Sequence, residues 1–263
     1  MQPKHAVSSD DLPEDPLTMP PPYWRSSGAV AHVRSELKSL QQLLNRLVKV
    51  SVQTEADLAS FHLRHPSKEA KQAAREEHEA ITYRALPIEV KIKRSCEIIC
   101  LMSAIEAEDC VNCFCVFNLH KNIAEGIEKL SLPDKLTVAC TCVGAPEVKG
   151  LKVYELARKL VAWRNAFAHG HCVDRPTKSL RSNHLITPEE LWSVPAVFRD
   201  AKFMVGAYLA ISDHLRARSK NEYTASKSWD DEEVRKSLHH LSRFVFSGTN
   251  ANYSIRLAHR AGA

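Results

Sequence analysis

Arg164 and His169, five positions apart, are the side chains of this sequence best suited to chemistry. Arginine carries a permanent charge on a planar fork that fits a phosphate. Histidine takes up or releases a proton near neutral pH. Phosphodiester transfer needs both: neutralisation of the phosphate charge, and proton movement at the attacking and leaving oxygens. No metal ion is required when the nucleophile is the neighbouring 2′-hydroxyl of RNA. A position near a helix C-terminus favours the cationic form of His169, and a nearby arginine opposes it.

The elements that must position this pair set a geometric condition. Leu151, Val153, Tyr154, Leu156, Ala157, Leu160 and Val161 recur at helical spacing and predict a core-facing helix. Its apolar stripe runs through Ala157, Leu160 and Val161 onto Arg164. A guanidinium at that core margin is costly unless something anionic pairs with it. His169 is followed by Gly170, a residue type that commonly ends helices. On a regular helix, five residues place two side chains about 140° apart. The pair therefore converges only if the helix ends or distorts around Ala168, or if a two-fold partner brings its own copy nearby.

The rest of the chain also reads as helical. Residues 1–27 carry Asp10, Asp11, Glu14 and Asp15 and end near Pro20-Pro21-Pro22, which predicts a disordered leader rather than a secretory signal. Val33, Leu37, Leu40, Leu44, Leu47 and Val48 predict a helix to about Val52, and Thr54 is placed to cap a short following segment. Ser67 precedes a strongly charged helical run to about Leu86, and Pro87 restarts the chain as a central apolar helix from Ile88 to Leu119. Thr187-Pro188-Glu189-Glu190 is a helix-start signal, and further helices are expected over 196–218 and from Asp230 onward, with a frayed tail beyond Ser247. No segment shows sustained period-two alternation. The expected architecture is all-α: a helical bundle over 88–219, a helical extension over 28–87, and a C-terminal helix and tail over 220–263.

Composition excludes several classes. A formal net charge of +5 permits contact with nucleic acid without establishing it. Eight cysteines in 263 residues do not form the framework of a small secreted domain. Five of them, Cys96 to Cys115, fall in one apolar helical stretch, where a thiol behaves as a small hydrophobe. Cys110-x-x-Cys113 and Cys140-x-Cys142 lack a second well-spaced pair, so neither a metal nor a cofactor is expected. The apolar stretch 95–119 is interrupted by Glu106, Glu108 and Asp109, which argues against a membrane span and for a cytoplasmic protein. Gly-rich phosphate loops, G-x-S-x-G and H-E-x-x-H are missing from the sequence.

The run Trp163-Arg164-Asn165-Ala166-Phe167-Ala168-His169-Gly170, late in a helical bundle, resembles the HEPN superfamily. Ala104-Ile105-Glu106-Ala107, Val111-Asn112 and the segment Leu130 to Leu136 are similar to that family's long helix and middle segment, so the likeness covers roughly 88–219. The resemblance implies a homodimeric helical domain with two motifs facing each other across the two-fold axis. In catalytic relatives such a composite site cleaves RNA without metal, leaving a 2′,3′-cyclic phosphate. Carried onto this chain, Arg164 would hold the scissile phosphate, His169 would act as general acid or base, Asn165 would orient the site, and Glu106 would support it. Arg175, Lys178 and Arg181 follow the motif and are candidates to guide an RNA backbone. The expected partners are RNA, a second copy, and an antitoxin or defence-system protein. The rival expectation is a non-catalytic module that binds nucleotide, RNA or protein.

Overall fold

A computed structural model describes residues 28–168, 193–219, 228–249 and 252–258. The leader and the Thr187 helix start lie outside the described residues. Among the described residues the fold is all-α apart from one β-hairpin.

Two long helices form its spine. Helix α1 (Ala29–Arg64) is one uninterrupted helix, not the two segments expected around Thr54. Nothing between Val52 and Thr54 is a glycine or proline that would break it. Instead of capping, the Thr54 hydroxyl is buried mid-helix and has no hydrogen-bond partner among the described residues. Val33, Leu37, Leu40, Leu44 and Leu47 lie fully inside, at alternating steps of four and three, so the first half of α1 contributes one face to the core. The hairpin that follows is polar. The charged run expected as one helix to about Leu86 is broken at Ala74: helix α2 (Lys68–Ala73) starts where Ser67 Oγ accepts from the Ala70 N–H at 3.1 Å. Helix α3 (Arg75–Thr82) then leads through a 3-10 turn at Tyr83–Ala85 into α4.

Helix α4 (Leu86–Asn118) is the central rod, with Pro87 in its first turn. It is buried on most sides, by α1 and by α8 (Val194–Arg216), and Ile92, Cys96, Ile99, Ala107, Val111 and Phe114 lie at the centre. The first half of α1 thus belongs to the same core as the bundle. Helices α5 (Lys121–Ile127), α6 (Leu132–Cys142) and α7 (Lys152–Ala168) close one side. Ser193 caps α8 by accepting from the Ala196 N–H at 3.3 Å. Helix α9 (Ser228–Leu241) lies against α1. Among the described residues, no helix is long and apolar enough to cross a membrane.

The start of α1 shows how a distant residue completes a helix end. Its N-cap, Gly28, is in the left-handed region at φ 68° and has no side chain with which to cap the first turn. Glu106 of α4 supplies the acceptor: its Oε2 takes the Val30 N–H at 3.0 Å, and Cys110 Sγ lies 3.5 Å from Oε1. The carboxylate is 1% exposed and sits at the positive end of the α1 dipole. Replacing Glu106 by Ala should cost about 2 kcal/mol and lower Tm by about 5 °C, read by thermal circular dichroism. An unchanged Tm would contradict the capping role.

The C-terminal end corrects the sequence expectation. Where a frayed tail was expected beyond Ser247, β1 (Phe244–Thr249) pairs antiparallel with β2 (Asn252–Leu257), Phe246 opposite Ile255. Phe244 and Phe246, then Tyr253 and Ile255, alternate over stretches too short to stand out against helical periodicity. Gly248 adopts φ 97° near the turn. A two-stranded hairpin is marginal alone. Here Phe246 packs between Phe198 and Tyr253, and Tyr253 donates to Glu89 Oε1 at 2.6 Å.

Candidate functional site

Arg164 lies in the last turns of α7, where the apolar face of that helix meets α4 and α6. Its neighbour on the core side, Trp163, is 3% exposed and packs beside Cys96, Cys100 and Val197. Arg164 turns instead toward α4, and Nη1 donates to Glu108 Oε2 at 2.5 Å. This is the anionic partner that the stripe of α7 requires.

Glu108 is shared. Its other oxygen accepts from Lys135 Nζ of α6 at 2.8 Å, and the same ammonium donates to Asn112 Oδ1 at 3.0 Å. Glu108 and Asn112 are one helical turn apart on α4, so they present their side chains to one side. Lys135 lies among Leu132, Leu136 and Ala139 on the inner face of α6, which wraps its alkyl stem. Exposure falls inward across the cluster: the side chains of Arg164, Glu108 and Lys135 are 32%, 25% and 1% accessible.

Burial pushes the Glu108 carboxyl up, but the hydrogen bond and charge of Lys135, followed by the charge of Arg164, outweigh it. The net result holds Glu108 below its ordinary value, so it is ionised at neutral pH. Two cations therefore share one carboxylate, and the four side chains carry a net positive unit charge at a half-exposed position. One guanidinium nitrogen of Arg164 is engaged by Glu108, which fixes the fork in orientation, and among the described residues its other N–H groups meet no second acceptor.

The other expected site residues divide clearly. Asn165 is exposed on the next position of α7. Glu106 is not brought to Arg164. It lies two residues from Glu108, on the opposite side of α4, where it caps α1. His169, Arg175, Lys178 and Arg181 lie outside the described residues, as does the side chain of Phe167. Sequence reasoning missed Glu108 and Lys135 as members of the cluster. The available signal for Lys135 was a lysine spaced three, one and four residues from Leu132, Leu136 and Ala139, in the middle of an apolar helix face.

A cysteine and a histidine also meet, with a different outcome. His214 Nε2 lies 3.8 Å from Cys140 Sγ, and Arg218 Nη1 is 3.1 Å from His214 Nδ1. Burial, then Arg218, holds His214 below the usual imidazole value, and burial pushes the Cys140 thiol up. Neither a thiolate nor an imidazolium is favoured, which is the reverse of an activated nucleophile. The described cysteines are free thiols, all buried except Cys142. Among the described residues, no group of three or more His, Cys, Asp or Glu side chains is arranged to hold a metal ion.

Comparison of the chain with protein-family models, with curated proteins and with solved structures finds no match.

Proposed function

We propose that this chain is a metal-independent endoribonuclease of the HEPN type, acting on RNA as a homodimer. The observation that carries the reading is the Arg164 guanidinium. It is held at a half-exposed position by Glu108, which is itself anchored by the buried Lys135. In the proposed reaction the 2′-oxygen attacks the adjacent phosphorus and the 5′-oxygen leaves. The products are a 2′,3′-cyclic phosphate and a 5′-hydroxyl. One imidazole accepts the 2′-proton and an acid returns a proton to the leaving oxygen, the roles assigned to His169 and its counterpart across the two-fold axis. Arg164 neutralises the charge that builds on the non-bridging oxygens. Asn165 orients the site, and Arg175, Lys178 and Arg181 guide the strand. By analogy with the resembled family, the biological context is a cytoplasmic toxin or anti-phage effector with a neutralising partner.

The test uses the purified full chain and single-stranded RNA in EDTA. Products ending in 2′,3′-cyclic phosphate are expected, and His169→Ala should remove them while leaving the oligomeric state intact. Cleavage that persists in His169→Ala, or none in the parent chain, overturns the reading. A second reading is a non-catalytic binding module, and one observation favours it: the Arg164–Glu108 contact at 2.5 Å ties α7 to α4. In that case Arg164 substitutions cost stability or partner binding, and the parent chain does not cut RNA.

A further inference from the structure

Where the 3-10 turn runs into α4, three large apolar side chains stand in water. Tyr83, Leu86 and Val90 are 61%, 48% and 55% exposed. They are spaced three and four apart, so they form one stripe along the outer side of α4, opposite the buried Ile88, Ile92 and Ser95. A contiguous apolar stripe in water marks a surface that something covers. Lys93 flanks the stripe on one side, and Arg94 and Lys91 flank it on the other. Among the described residues, none of these three cations has an ion-pair partner. The surface therefore calls for an acidic segment carrying apolar side chains.

We propose that the occupant is this chain's own segment from Asp10 to Leu17, docked in cis. Its sequence, Asp-Asp-Leu-Pro-Glu-Asp-Pro-Leu, places four carboxylates around Leu12 and Leu17. The cations beside the stripe match those carboxylates, and the two leucines match the apolar stripe. Pro13 and Pro16 restrict the segment before it binds, which lowers the entropy lost on docking.

The reach is sufficient. The leader joins α1 at Gly28, and the first turn of α1 touches α4 at Glu106. From there the stripe at Leu86 and Val90 lies about 24–30 Å back along α4 and on the other side of that helix, about 10 Å across. The chain from Gly28 back to Leu12 spans up to about 53 Å when extended, and back to Asp10 about 60 Å, which covers the axial distance and the path around the helix. Because the tether is short, the segment is present at a high effective concentration, and docking does not depend on protein concentration.

A photo-cross-linking benzophenone amino acid placed at position 83 of the full chain tests this directly. Tyr83 is exposed, so the substitution is compatible with folding, which circular dichroism verifies. The expected result is an intramolecular cross-link to peptides containing residues 10–17. Its yield should be unchanged on about tenfold dilution and should fall severalfold in about 0.5 M salt, where charge pairing is screened. Combining Lys91→Glu with Arg94→Glu should lower the yield at least fivefold, and Asp10, Asp11, Glu14 and Asp15→Lys in the same chain should restore it. Cross-links that map to a second copy or to any other segment, or a yield indifferent to the charge reversal, overturn the proposal.

Discussion

Arg164→Ala is expected to lower kcat/KM for RNA cleavage by about 10²–10³-fold, the loss seen when one preorganised donor to a developing oxyanion is removed. The guanidinium is held ready for the phosphate. Glu108 fixes it through Nη1, so its outer donors need no reorganisation when charge moves onto the phosphate. Arg164→Lys should recover only a small part of the activity. An ammonium keeps the charge but loses the planar fork that contacts carboxylate and phosphate together. The stability cost of either change should stay near 1 kcal/mol. The side chain is about a third exposed, and Glu108 keeps Lys135 as its partner. A large fall in Tm, with no cleavage by the parent chain, would instead identify Arg164 as a purely structural link.

Glu108 should behave in the opposite way, with a large effect on stability. Glu108→Ala leaves the Lys135 ammonium buried with the Asn112 carbonyl as its one remaining hydrogen-bond partner among the described residues. Stranding a buried charge in this manner costs about 3–5 kcal/mol, or a fall in Tm on the order of 10 °C. The double variant Glu108→Leu with Lys135→Met removes both charges and should recover much of that stability, because apolar groups of similar size replace a buried pair at little cost. If the double variant is as unstable as Glu108→Ala, the unpaired charge is not the cause. The pH dependence follows from the lowered Glu108 pKa. The carboxylate contributes stability above its unfolded value of about 4.3, and that contribution is lost as the pH falls through the lower folded value. Glu108→Gln should therefore weaken the acid sensitivity of unfolding below about pH 4, measured by denaturant titration.

Much of this arrangement could be read in the sequence, and the limits have physical causes. The α7 helix, its apolar stripe and the need of Arg164 for an anion all follow from spacing alone. The identity of that anion does not. Glu106, Glu108 and Asp109 crowd one stretch of α4, and one or two residues of rotation move a carboxylate from one side of the helix to the other. Only the packing of α6 and α7 selects Glu108 for Arg164 and leaves Glu106 to α1. The helix after Ser67 was legible from its charge spacing, and the cap that Ser67 makes there acts within one turn. Thr54 misled for a related reason: a capping residue type carries that signal wherever it occurs, but here the helix continues through it. The hairpin was missed because its six-residue strands are stabilised by Phe198 and Glu89, which lie far away in sequence.

The carboxylate of Glu106 at the head of α1 also bears on how the chain emerges from the ribosome. Val30 is synthesised 76 positions before the group that accepts its N–H. Until α4 has left the exit tunnel, the Val30 N–H lacks the acceptor it has in the folded chain, and Gly28 offers no side chain in its place. That contact should therefore form only when residues near 106 arrive, making it a late event in folding rather than a seed for it.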